Sequence, residues 1–132
     1  MGLMRRWFKE VWEDRNEATI DELLDPEVKA YGLGDEPLDL EGFREAWRSL
    51  HETFDDFKVE IDSFIAKGEM TALRLTASGI HVGDGLGFPA TGKPVSFQVQ
   101  TVGEWRDGKL INGWNCLDFG PLYRQLGVKL VL

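Results

Sequence analysis

The hydrophobic period of this chain changes once, from helical to strand-like, close to residue 55, and that switch limits the folds open to it. In the first part, apolar residues recur in pairs four positions apart: Leu3 and Met4, Trp7 and Phe8, Val11 and Trp12. A stripe this wide is the core-facing side of a helix, predicted over about residues 3–15. Thr19 and Glu22 have the form of a capping box, so a short second helix is expected through Leu23 and Leu24, halted before Pro26. Val28 to Leu33 reads as a short strand, and Gly32, Gly34 and Pro37 as a loop. Asp39 is placed to cap a third helix whose apolar positions are Phe43, Trp47, Leu50 and Phe54.

Beyond that point the period is two. Phe57, Val59 and Ile61 alternate with charged residues, Lys67-Gly68-Glu69 makes a turn, and Leu73, Leu75, Ala77, Gly79 and His81 share one face of a returning strand. A glycine-rich connection over residues 83–94 leads to Val95, Phe97, Val99 and Thr101 on a strand reaching Arg106. Asp107-Gly108 is a two-residue hairpin turn, and Lys109 to Asp118 returns. Phe119-Gly120-Pro121 ends that strand, and Leu122 to Leu126 is expected as a short helix before Gly127. Helices followed by a run of long strands define an α+β domain, a curved antiparallel sheet wrapped around the N-terminal helices.

With 132 residues, one domain spanning residues 1–132 is expected. The net charge of −8 argues against nucleic acid or an anionic membrane as partner, since both need clustered positive charge. No apolar run approaches the roughly 20 residues of a spanning helix, and the N-terminus is amphipathic instead of signal-like, so a cytoplasmic location is expected. One cysteine, Cys116, and two distant histidines, His51 and His81, are too few ligands for a metal site. Five Trp, eight Phe and two Tyr are a heavy load of rings, which a core or pocket must accommodate.

In the plain register of the Asp107-Gly108 hairpin, Asp118 lies opposite Phe97, Cys116 opposite Val99, Trp114 opposite Thr101 and Trp105 opposite Leu110. One face then carries Phe97, Val99, Thr101, Trp105, Trp114, Cys116 and Asp118, an aromatic wall ending in a carboxylate, while Gln98 and Gln100 face the other way. A β-bulge would invalidate this parity.

Gly79-Ile80-His81-Val82-Gly83, Gly87-Phe88-Pro89-Ala90-Thr91-Gly92-Lys93 and Asp107-Gly108-Lys109-Leu110, with Trp114 and Asp118, resemble the SnoaL-like polyketide cyclase family, also called ester cyclases. The likeness runs from the N-terminal helices through Phe43-Arg44-Glu45 to Gln125-Leu126-Gly127. It implies a cystatin-like α+β cone, as in nuclear transport factor 2 and ketosteroid isomerase, with a pocket for a small hydrophobic ligand and a homodimer using the outer sheet face. It also implies aldol ring closure by acid–base side chains with no cofactor and no metal.

Under that resemblance Asp118 is the candidate base, against the plainer reading of a capping residue before Phe119-Gly120-Pro121. His81 and Tyr31 are candidate donors to an enolate oxygen, against structural roles in packing and backbone hydrogen bonding. Trp114, Trp105, Phe97, Thr101, Asn115 and Trp47 are the candidate substrate-binding residues. If the family's strand aspartate and histidine correspond to Asn115 and Thr101, the acid–base pair is absent, and these two bond a ligand without serving as bases. A non-catalytic small-molecule binder is the alternative. Epoxide hydrolysis ranks lower, because residues 97–101 offer no Arg or Asp and Arg74 is opposed in parity to Leu73 and Leu75.

Overall fold

The structure, a computed structural model, describes residues 2–84 and 89–127. Helix α1 (Gly2–Arg6) runs into a π-helical segment (Trp7–Glu13), where the Asp14 amide bonds the Lys9 carbonyl five residues back at 2.9 Å. This wider winding keeps residues four and five apart on one side. Met4, Trp7, Phe8 and Val11 are buried accordingly, while Leu3 is left on the surface.

Helix α2 (Glu17–Leu23) is capped by Asn16, whose side chain accepts from the Ala18 amide at 3.1 Å. The expected capping box does not form. Thr19 lies inside the helix, buried, donating to Glu10 Oε1 at 2.9 Å, and Glu22 is held by Arg6. Strand β1 (Leu24–Tyr31) follows at once, four residues before its predicted start. Asp39 caps α3 (Leu40–Thr53) as expected, accepting from the Gly42 amide at 2.8 Å, and Phe54 opens the next strand instead of closing the helix.

Strands β2 (Phe54–Lys67), β3 (Met70–His81), β4 (Pro94–Arg106) and β5 (Lys109–Asp118) form an antiparallel meander, and the sheet order is β1-β5-β4-β3-β2. Strand β1 joins the edge parallel to β5, a pairing absent from the antiparallel expectation. Register shifts in β2, between Asp55 and Lys58 and between Ile61 and Ser63, add the local bending that curves a sheet around its helices. Helix α4 (Gly120–Gln125) starts two residues early with Pro121 in its first turn, and Gly127 follows at φ 79°. The tail at 128–132 and residues 85–88 of the glycine-rich connection lie outside the described residues.

The β4–β5 hairpin departs from its plain register in one place. Asp107 and Gly108 both have positive φ, as the two-residue turn requires, and Arg106 pairs Lys109 and Trp105 pairs Leu110. The next pair is Glu104 with Asn112, so Ile111 is an extra residue, a β-bulge. From there every partner moves by one: Thr101 faces Asn115, Val102 faces Trp114, Gln100 faces Cys116 and Gln98 faces Asp118. Side chains alternate across a strand, so a shift of one exchanges the two faces of β5. Gly113, Asn115 and Leu117 turn toward the helices, while Trp114, Cys116 and Asp118 turn outward and are exposed. The wall expected from parity therefore keeps Phe97, Val99, Thr101 and Trp105 and loses its β5 half.

Two glycine contacts fix this arrangement. A Cβ on Gly103 would lie 3.0 Å from Trp105 Nε1, Thr71 Oγ1 and the Leu110 side chain, so the Trp105 indole occupies that space and bonds Thr71 at 3.1 Å. At the end of β1, Gly32 has φ 87°, and a Cβ there would sit 1.8 Å from the Asn115 carbonyl oxygen. Gly32→Ala should therefore force β1 away from β5 and cost at least about 2 kcal/mol in urea unfolding. Gly68→Ala, at φ 59° with open space around it, should cost only about 1 kcal/mol.

Candidate functional site

Between the concave side of the sheet and the helices lies a cavity of about 280 Å³. Its helical wall comes from the amphipathic stripes: Met4, Trp7, Phe8 and Trp12 from the first turns, and Phe43, Trp47 and Leu50 from α3. Its sheet wall comes from alternate residues of each strand, including Phe57, Leu75, Ala77, Phe97, Val99, Thr101, Trp105, Gly113 and Asn115. Phe119, just past β5, stands edge-on to Phe97 with centroids 5.1 Å apart. The polar lining side chains are Ser49, Thr53, Thr101 and Asn115, together with the indoles, and among the described residues no Asp, Glu, His, Lys or Arg lines the space.

Asn115 and Thr101 are directly paired across β4 and β5, so their side chains stand together on the same face. Asn115 Nδ2 donates to the Tyr31 carbonyl at 3.0 Å, which orients the amide and leaves its second N–H and its oxygen available. Trp47 is fixed in the opposite wall by its indole N–H, which donates to the Val11 carbonyl at 2.9 Å.

Of the candidate substrate-binding residues, Trp105, Phe97, Thr101, Asn115 and Trp47 line the cavity. Trp114 does not: it lies on the outer face, 40% exposed, and stacks on Tyr31 with centroids 5.7 Å apart and planes at 8°. The three residues considered as acid, base or donor are likewise outside the lining. Asp118 is exposed opposite Gln98, because of the Ile111 bulge. Tyr31 shares the outer face with Trp114, because β1 pairs it with that residue. His81 is fully buried at the end of β3, where Nδ1 accepts from the Thr91 amide at 3.2 Å and lies 3.0 Å from Thr91 Oγ1. With two backbone bonds from the same strand end to Gly92 and Lys93, His81 anchors the chain returning to β4.

The sequence reading passed over a second buried imidazole. His51 lies one turn after Trp47 in α3, packed against Trp12, Trp47 and Phe57 with centroids 5.8, 5.1 and 5.8 Å away. Neither of its ring nitrogens has a hydrogen-bond partner among the described residues, and neither has the buried Trp12 Nε1. Burial pushes its pKa from 6.5 down to about 4; the positive charge of Arg15 adds to the shift and the Val11 carbonyl opposes it. The signal in the sequence was the four-residue spacing from Trp47, which puts His51 on the apolar face of α3.

The chain's fold and cavity are those of a small α+β cone, and comparison with known proteins identifies its class. A family model for SnoaL-like polyketide cyclases matches residues 2–126, and the chain belongs to that family. No curated protein matches significantly. Among solved structures, TsrD from Streptomyces laurentii is 29% identical with a TM-score of 0.85, over 97% of this chain and 94% of that one. IdmH from Streptomyces antibioticus, titled a candidate polyketide cyclase, is 24% identical with a TM-score of 0.86, over 96% and 97%. AclR from Streptomyces galilaeus, titled a candidate hydroxylase, is 23% identical with a TM-score of 0.86, over 96% and 93%. The last two likenesses establish the cone fold alone. Among the described residues, no cluster of three His, Cys, Asp or Glu gathers to hold a metal, and no helix is long and apolar enough to cross a membrane.

The buried His51 gives a pH signature. Its folded pKa lies below its unfolded value, so the unfolded chain binds the extra proton and stability falls as pH drops from about 6.5 toward 4. Between pH 7.5 and 5 the loss should be about 2 kcal/mol. His51→Phe, which fits the aromatic surroundings without a titrating group, should show a loss smaller by that amount in urea midpoints at the two pH values.

Proposed function

We propose that this SnoaL-like protein encloses a small, flat, mostly apolar carbonyl compound in the cone and promotes its ring closure in the manner of a polyketide cyclase. The observation that carries this reading is the cavity: apolar and rich in aromatic rings, with Thr101 and Asn115 paired at one place on its sheet wall. Sites for small molecules are built this way, from an apolar enclosure and a few placed polar groups.

In an aldol closure, a carbon next to one carbonyl loses its proton, the resulting enol or enolate carbon bonds to a second carbonyl carbon, and that oxygen takes a proton as it becomes a hydroxyl. The free Asn115 N–H and the Thr101 hydroxyl are suited to donate to the oxygen on which charge develops. The rings that fold the substrate bring its two reacting carbons together, a contribution of effective concentration that needs no ionisable side chain. A 1,3-dicarbonyl unit enolises readily, a further carbonyl four carbons along the substrate is the one attacked, and water serves as proton carrier. Asp118, His81 and Tyr31 hold no part in this assignment, since they lie outside the lining.

The lack of a carboxylate or imidazole among the described lining residues favours a second reading, enclosure without turnover. Tryptophan emission titrated with flat aromatic ketones, followed by chromatography of incubated aryl 1,3,7-triketones, separates the two: a cyclised product supports the cyclase, and binding without product supports the binder. Asn115→Leu and Thr101→Val should each weaken binding by about tenfold, and Asp118→Asn should leave it within about twofold. Loss of binding in the Asp118 variant alone would reverse the assignment.

The protein acts as a homodimer in this proposal, joined through the outer sheet face where Ile65, Val102 and Trp114 are exposed around a shallow groove. The net charge of −8 disfavours nucleic acid or an anionic membrane as partner, and the setting proposed is cytoplasmic. Val102→Asp should convert a dimeric sedimentation coefficient to a monomeric one.

A further inference from the structure

The cavity also limits what can occupy it, an argument that rests on the reading of the cavity as the ligand site. An apolar cavity of about 150 Å³ holds one benzene ring. At about 280 Å³, this one has room for two fused rings with a small substituent, and a third ring would have to displace close-packed walls or extend into solvent.

Polarity narrows the class further. Burial of an unpaired charge costs several kcal/mol, and the described lining provides no counter-ion for either sign. The nearest buried cation of α3, Arg44, is taken up by Asp21, Glu17 and Glu41. The imidazole behind the wall, His51, stays neutral at ordinary pH. Thr101 and Asn115 together offer hydroxyl and amide groups at one spot, enough for a single carbonyl or hydroxyl.

We infer that the site takes a neutral aromatic or unsaturated compound of at most two rings, seated with one carbonyl or hydroxyl group on Thr101 and Asn115 and its rings among Trp47, Phe57, Phe97 and Trp105. A carboxylate, a phosphate or a carrier-bound thioester is disfavoured against this uncharged lining by its charge or bulk.

Four probes test this by titration of the full chain, followed by tryptophan emission and native mass spectrometry: 2-acetylnaphthalene, 2-naphthoate, naphthalene and 2-acetylanthracene. The ketone should bind, the carboxylate and the three-ring ketone each about tenfold or more weaker. Thr101→Val should weaken 2-acetylnaphthalene about tenfold and leave naphthalene unchanged, a readout that a folding defect would not give. Ala77→Phe, which fills the cavity, should abolish binding and so distinguish it from the groove beside Trp114. Naphthoate or the anthracene ketone binding as tightly as 2-acetylnaphthalene, with sensitivity to Ala77→Phe, would overturn the ligand class and leave the enclosure standing. Binding of every probe unaffected by Ala77→Phe would overturn both.

Discussion

One extra residue in β5, Ile111, decides which chemistry faces the interior. A strand presents alternate residues to its two sides, so the bulge exchanges the residues offered to the cavity: Asn115 for Trp114 and Asp118. Without it, the helices would meet a tryptophan, a thiol and a carboxylate; with it, they meet a glycine, an amide and a leucine. The rest of the structure accommodates this choice. Gly32 lets β1 lie against the Asn115 backbone, the Tyr31 carbonyl accepts a hydrogen bond from the Asn115 side-chain amide, and the displaced Trp114 finds a stacking partner in Tyr31 on the outer face.

The interior that results is uncharged and ring-lined. Ion pairs are kept to the periphery: Arg6 with Glu10 and Glu22, Lys9 with Asp14, and Arg44 with its three acids beside α2. Thus the net negative charge of the chain serves its surface and does not reach the cavity. The exception in kind is His51, which tolerates burial only as a neutral ring. Together with the Trp12 indole, whose N–H has no partner among the described residues, it makes the packing between the π-helical segment and α3 sensitive to acid.

Much of this was legible in the sequence because it depends on local rules. Asp39 caps its helix, Asp107-Gly108 makes the tight turn, and the alternation from Leu73 to His81 gives the inward face of β3. The aromatic wall on β4 followed for the same reason. What was not legible depends on partners distant in the chain. Glu22 left its capping box for Arg6, sixteen residues before it, and β1 gained four residues by pairing with β5. The bulge did have a trace, two glycines at 103 and 113 that face each other beside the Leu110 side chain, in strands otherwise rich in large residues. The places given to Asp118 and Trp114 rested on the plain register, so a single residue displaced both, while Tyr31, a candidate by family resemblance, faces outward through its pairing with Trp114.

In the proposed complex the ligand sits inside the cone against Asn115 and Thr101. Intermolecular nuclear Overhauser contacts from bound 2-acetylnaphthalene measure this placement directly. Contacts from the ligand to the Ala77 and Val99 methyl groups and to the Asn115 side-chain amide are the result predicted here. Contacts to the Trp114 indole and the Cys116 methylene, on the opposite face of the same strand, would contradict it.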